Sequence, residues 1–286
     1  MLDKLVIAGV GLIGGSVALA ARRGNLARRI VGVGRASESI NNAIKLGVID
    51  AAELLEQAAN ADLIMLAMPV GQMPGVMSAL RPHLGVKTLI TDAGSTKGDV
   101  VAAACAHLGD ALSRFIPGHP IAGAEKSGVA AATAELFDGK SVVLTPLVEN
   151  TAADVQTIAD FWLGCGAKVS KMPVELHDRI FAAISHLPHV LAFALVEEIA
   201  RRPNADQLFG FAAGGFRDFS RIAGSSPEMW RDICLANRPA LLAELDAYTA
   251  RLQQMRELIS AEDGHALAEI FEHASNARNA WANSRN

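Results

Sequence analysis

Gly9, Gly11 and Gly14 lie in the run LVIAGVGLIGGS, within the first sixteen residues. A strand-like apolar stretch (Leu5–Ala8) leads into this G-x-G-x-x-G, and a small-residue helical stretch (Ser16–Ala21) follows. Strand, glycine turn and helix in that order commit the chain to an α/β start. The first glycine permits a tight turn, the second lets backbone approach a pyrophosphate, and the third lets helix pack on strand. The helix start offers free N–H groups and a positive dipole end to phosphates. Gly9, Gly11, Leu12, Ile13 and Gly14 are therefore the candidate cofactor-binding residues, joined by Pro69 at the end of a later strand. The plain alternative is a glycine-rich turn that holds no cofactor.

The rest of the first half continues the pattern. Strand signals at Lys4–Ala8, Ile30–Val33, Leu63–Met68, Thr88–Thr91, Phe115–Ile116, Val142–Leu144 and Lys168–Ser170 alternate with helical stretches. That alternation is the signature of a parallel sheet wrapped by helices. After Met172 strand signals nearly vanish. Pro173–Ala200 reads as one long helix with a kink at Pro188. A glycine-rich loop (Gly214, Gly215) follows, then helices over Pro239–Ile259 and His265–Ala282. The expected architecture is α/β: a Rossmann-type dinucleotide-binding domain, residues 1–172, and an all-helical domain, residues 173–286. Long apolar helix faces in so small a helical unit point to a symmetric dimer through this half.

The 286 residues are half apolar and one-fifth charged, which excludes a disordered chain. Net charge is −4 with no basic block, which argues against nucleic acid. No apolar run reaches the ~18 residues of a membrane span, and the start resembles a strand rather than a signal peptide. Cys105, Cys165 and Cys234 are odd in number and widely spaced. They fit buried thiols in a reducing cytoplasm, with no metal site.

In NAD-binding versions of this fold an acid ends the second strand and holds the ribose 2′-OH. Here that strand runs into Gly34-Arg35-Ala36-Ser37. The Arg35 guanidinium and Ser37 hydroxyl suit a 2′-phosphate. The cofactor expected is NADP, with NAD, or both, as the alternative.

Four polar runs interrupt apolar sequence at strand ends: TDAGSTKG from Thr91, PGHPIAGAEKSG from Pro117, His177-Asp178 with SHLPH from Ser185, and GFRDFSR from Gly215. His119, between Gly118 and Pro120, is a candidate general base or a turn histidine bonded to backbone. His186 and His189, three residues apart, share a helix face. They are ligand contacts or core histidines, and no third residue at metal spacing joins them. Arg217, Asp218 and Arg221 form either a carboxylate grip or a solvated salt-bridge network.

Taken together, GVGLIGGS, TDAGSTKG, PGHPIAGAEKSG, LTP, ELHD, SHLPH, GGFRDFSRIA and MWRDI resemble the prephenate/arogenate dehydrogenase family. They run in the family's order from Val6 to about Arg238. The resemblance implies a Rossmann-type domain, a helical dimerisation domain and a cleft site. It implies oxidative decarboxylation on the tyrosine pathway, giving 4-hydroxyphenylpyruvate from prephenate or tyrosine from arogenate. His119 then takes the hydroxyl proton or a hydrogen bond from it, and Ser95 orients that histidine and the substrate. Arg221 holds a substrate carboxylate, and His186 and His189 line the pocket. Glu125, Lys126, Asp178, Arg217 and Asp218 form a charged gate at the cleft mouth. Trp230 is an aromatic wall of the pocket, reached within the chain or across the dimer. The chain ends without room for a fused mutase or regulatory domain, so tyrosine inhibition is expected at the active site itself.

His189 and Lys126 lean towards the keto acid prephenate, Glu125 and Asp218 towards arogenate's ammonium. The expectation is a cyclohexadienyl dehydrogenase with prephenate slightly favoured. A 3-hydroxyacid dehydrogenase would place a lysine early in the helical half, yet none lies between Lys171 and Ala200. A non-enzymatic NADP-binding module would not need Ser95, His119 and Arg221 together.

Overall fold

Strand β1 (Leu2–Ala8) is buried on both faces from Leu5 onward, as a strand covered by helices on each side must be. In the computed structural model, which describes residues 1–34, 37–123 and 126–284, β1 is one of six parallel strands. It pairs with β2 (Ala27–Val33) on one side and β4 (Leu63–Leu66) on the other. β3 (Ala51–Ala52) lies outside β2, and β5 (Leu89–Asp92) and β6 (Phe115–Ile116) lie beyond β4. The order β3-β2-β1-β4-β5-β6 changes direction between β1 and β4. That reversal is the point at which open α/β sheets take ligands, at the carboxyl ends of the strands.

Side chains alternate along β1 with period two. Leu5 and Ile7 join a core with Val17 and Ala21 of α1 (Leu12–Arg23) and Ile40 and Ala43 of α2 (Ser37–Lys45). Val6 and Ala8 join a second core, with Ala58 of α3 (Leu55–Ala58), Met73 and Met77 of α4 (Met73–Leu80) and Val100 of α5 (Gly98–His107). Two covered faces explain why these strands read as continuous apolar runs.

A second sheet follows. β7 (Gly118–Pro120) runs antiparallel to β8 (Ser141–Leu144), which is parallel to β9 (Lys168–Lys171). Between β8 and β9 lies α6 (Ala152–Gly164), whose first turn is capped by the Thr151 hydroxyl accepting from Asp154 N–H. β7 lies outside the expected strands because Gly-His-Pro carries turn signals. As an edge strand bonded only to β8, it tolerates its proline.

Helices α7 (Val174–Phe181) and α8 (Leu187–Ala200) run on through a π turn at Ala182–His186. Pro188 thus produces an inserted residue in the helix rather than the expected simple kink. The Leu187 N–H reaches back five residues to Ala182 O, just before the proline removes a donor. The 27 residues Val174–Ala200 are long and apolar enough to cross a membrane by length and composition. The expectation that no segment was sufficient missed this because isolated polar residues interrupt the run. His177 and His186, two of those residues, are buried in the first unit.

α9 (Ala205–Gly210), α10 (Gly214–Ser220) and α11 (Pro227–Ala236) complete this part. Gly214 and Gly215, expected in a loop, start α10 instead. Glycine costs least in a first turn, where its N–H groups have no intrahelical acceptor anyway. The described chain divides into two compact units, Met1–Arg238 and a second from Pro239 onward. The second consists of α12 (Arg238–Ser260, whose first residue closes the first unit) and α13 (Gly264–Asn283). Asp263 caps α13 by accepting from Ala266 N–H.

Candidate active site

The glycine turn lies at the carboxyl end of β1. Gly9 has φ +98°, and a Cβ there would come within 2.7–2.8 Å of the Ala67–Met68 backbone that follows β4. Only glycine meets both demands. A Cβ on Gly14 would drive into the Gly9 carbonyl oxygen and lie 2.8 Å from Ile7 Cγ2, so this glycine sets how closely α1 packs. A Cβ on Gly11 would meet nothing within 4 Å. Gly11 is the N-cap of α1 and has no side-chain cap. The open space in front of it and the uncapped N–H groups of Leu12, Ile13 and Gly14 make a cradle suited to a pyrophosphate. Pro69, just after β4, stands on the same edge beside this turn.

At the end of β5 the chain builds a buried polar clamp. Asp92 is fully buried and accepts from Gly94 N–H (2.8 Å), Gly118 N–H (3.0 Å) and the Lys97 ammonium. Lys97 is equally buried and also donates to Gly118 O at 2.7 Å. Both backbone groups of Gly118 are thus held by one ion pair, which fixes where His119 leaves β7. A lysine and a carboxylate with no solvent access persist together only because each satisfies the other.

His119 faces a chain of donors from α7. His177 Nδ1 is 2.8 Å from Asp178 Oδ1, and His177 Nε2 is 2.9 Å from His119 Nδ1. Asp178 also accepts from the N–H groups of Lys97 (2.9 Å) and Gly98 (2.8 Å) at the start of α5. Burial alone would raise the Asp178 pKa, but the His177 hydrogen bond and these two N–H groups hold it below the usual carboxylate value. A carboxylate only accepts, so His177 donates from Nδ1. Its Nε2 then accepts from His119 Nδ1–H, which leaves His119 Nε2 as an acceptor with no partner among the described residues. Burial first, then the neighbouring Lys97 charge and His177, push the His119 pKa well below its ordinary 6.5. His119 is therefore a neutral ring, 9% exposed, whose Nε2 lone pair is unengaged among the described residues.

The π turn and α8 supply a second group of rings. His186 is buried, and its pKa is pushed down to about 4, chiefly by burial. Its Nδ1 accepts from the Asn237 amide (3.1 Å), which also donates to Asp178 O (2.7 Å). The remaining His186 Nε2 and Trp230 Nε1 are buried without hydrogen-bond partners among the described residues. His189 donates from Nδ1 to Ser185 O (2.9 Å) and stacks on Trp230 at 3.5 Å between ring centroids. Burial and the Arg221 charge both lower the His189 pKa, although its backbone bond opposes them, which puts that guanidinium near this pair.

Both halves of this arrangement have known relatives. The nucleotide-binding domain of prephenate dehydrogenase matches residues 17–171, and the prephenate dehydrogenase dimerization domain matches residues 173–273. The chain belongs to the prephenate dehydrogenase family. It is 39% identical to a prephenate dehydrogenase of Bacillus subtilis over 97% of this chain and 76% of that one. It is 36% identical to a cyclohexadienyl dehydrogenase of Zymomonas mobilis, over 96% and 94%. The solved prephenate dehydrogenase of A. aeolicus, in complex with hydroxyphenyl propionate and NAD+, superposes with a TM-score of 0.91 at 37% identity, covering 97% and 98%. The glycine turn of this chain has the space and the uncapped N–H donors that a dinucleotide needs.

Within the family member some expected roles change. Ser95 makes no hydrogen bond among the described residues, and the ring of His119 is oriented by His177, which occupies its Nδ1. Asp178, expected at the gate, accepts with its carboxylate from His177 and from the start of α5. Trp230 stacks on His189 of its own chain, so no partner subunit is needed for that contact. Lys126, Arg217 and Asp218 are exposed and form no ion pair with one another. Arg35, Glu125 and the Ser37 side chain lie outside the described residues. Asp92, Lys97, His177 and Asn237 were not among the expected site residues. The dipeptide His177-Asp178 and the lone lysine of TDAGSTKG were the available signals.

Proposed function

We propose that this dehydrogenase carries out the oxidative decarboxylation of prephenate, of arogenate, or of both, with prephenate favoured, in tyrosine biosynthesis. The observation that carries the reading is the neutral, oriented His119 with a free Nε2 beside a dinucleotide crevice. Bound there, the nicotinamide supplies a hydride acceptor. Hydride leaves the ring carbon that bears the hydroxyl, and that carbon becomes electron-poor. His119 Nε2 accepts the hydroxyl hydrogen bond or proton and relieves the growing charge. Loss of CO2 leaves its bonding electrons in the ring, which becomes aromatic, and the oxygen regains its proton. Arg221, beside His189, holds a substrate carboxylate by a charge-assisted contact. The donors of His186 and Trp230, unpaired among the described residues, suit acceptor groups of a carboxylated substrate. Ser95, Lys126, Glu125, Arg217 and Asp218 remain proposed substrate contacts.

The cofactor we favour is NADP. β2 ends at Val33 and runs into Gly34 with no acid for a ribose 2′-OH, and Arg35 follows. We also propose a functional division at residue 172 and a homodimer through the helical half. Ile184 (67% exposed), Phe211 (84%) and Leu235 (67%) support the dimer, since large apolar side chains in water mark surfaces that become covered. Three free cysteines suit the reducing cytoplasm.

Absorbance at 340 nm in a grid of prephenate or arogenate with NAD or NADP tests the reading. Turnover is expected with prephenate and NADP. Silence in all four combinations, with cofactor bound, would overturn it.

A further inference from the structure

We propose that His177 is the positioning residue of the site, and that it acts by fixing the tautomer of His119. This rests on the reading of His119 as the acceptor of the substrate hydroxyl. A neutral imidazole carries its proton on either nitrogen, and only the Nδ1–H form leaves Nε2 able to accept. In a buried ring nothing but a neighbour chooses between the two. The neighbour here is His177 Nε2, 2.9 Å from His119 Nδ1.

That nitrogen can only accept, because the other nitrogen of His177 is committed. Asp178 lies 2.8 Å from His177 Nδ1 and is itself pinned by two N–H groups at the start of α5. The chain of command is therefore helix start, carboxylate, His177, His119. Each link has one arrangement of donors and acceptors. Ring packing reinforces it: His119 and His177 lie 5.1 Å apart between centroids, and both contact Phe181, at 4.8 and 4.5 Å. His177 is fully buried, so water cannot take over its task. The charged clamp of Lys97 and Asp92 holds the backbone of Gly118 but contributes no bond to the His119 ring.

Two substitutions separate this role from mere packing. In His177→Gln the new amide can still accept from His119 Nδ1–H and donate towards Asp178. In His177→Leu it can do neither. For His177→Leu we expect kcat to fall roughly 10²–10⁴-fold, the range for a misplaced acid–base group, with KM and dinucleotide Kd unchanged. For His177→Gln we expect kcat within about tenfold of wild type. Equal losses in the two variants, or no loss in either, would overturn the proposal. Nitrogen-15 NMR of the histidines in the resting wild-type enzyme is independent of activity and of the leucine variant's folding. It should find His119 protonated at Nδ1, and a proton at Nε2 instead would refute the assignment. Inactivity of the wild type towards both substrates would sink the functional reading while leaving this NMR test intact.

Discussion

The glycine turn yields the sharpest prediction, because Gly11 and Gly14 are two residues that should fail differently. A methyl group on Gly11 would meet no protein atom within 4 Å. The backbone there is extended, at φ −101° and ψ −151°, so alanine is not strained. Gly11→Ala should therefore fold as wild type, with stability inside the roughly ±0.5 kcal/mol of a neutral surface change. The methyl does occupy the space a pyrophosphate needs. Charge-assisted hydrogen bonds are worth about 1.5–3 kcal/mol each. Losing one weakens dinucleotide binding by about 10- to 150-fold. Gly14→Ala should behave in the opposite way. Its methyl would press into the Gly9 carbonyl oxygen and Ile7 Cγ2, both fixed parts of the core. Overpacking of this kind costs about 1–3 kcal/mol, or a Tm lower by several degrees. Calorimetric titration with NADP and a thermal scan on each variant read both quantities. Unchanged affinity in Gly11→Ala would refute the placement of the pyrophosphate. A lowered Tm in that variant would refute the claim that the space is empty of protein.

The other predictions concern the chemistry and the buried charges. His119→Asn should lower kcat roughly 10²–10⁴-fold with KM little changed, and steady-state kinetics showing full activity would remove it from the reaction. Arg221→Ala should mainly raise the KM for substrate, through loss of a charged carboxylate contact, and an unchanged KM would reject that role. Lys97→Met leaves the Asp92 carboxylate buried without its cation and should cost about 3–5 kcal/mol of stability, read by urea unfolding. His186 titrates at about 4 when folded against an ordinary 6.5, so the unfolded chain binds the extra proton between those values. Its contribution falls by up to about 3 kcal/mol as pH drops through that window. Unfolding of His186→Gln should be correspondingly less pH-dependent, and a slope as steep as wild type would count against the buried neutral ring.

Much of the nucleotide-binding half was readable because its signals are local. Strand β1 announces itself by a run of buried aliphatic residues, and the glycine spacing directly after it marks the turn into α1. β3 and β7 were not readable. A two-residue strand carries no period, and Gly118-His119-Pro120 has the composition of a turn. The π turn was legible only as a proline problem, since sequence marks the missing donor at Pro188 but not how the helix absorbs it.

The sequence by itself determined the alternation of strands and helices and the phosphate cradle, because each depends on residue type and short spacing; it singled out His119 only through the ordered motifs that resemble a known family. Only tertiary structure decided how His119 is set. His177 is 58 residues away in the chain, and Asp178 reaches back about 80 residues to the start of α5. Hydrogen bonds over such separations exist only once the sheet edge and α7 have packed together. Residue identity lists the groups that can donate or accept, and the packed fold alone selects which of them meet.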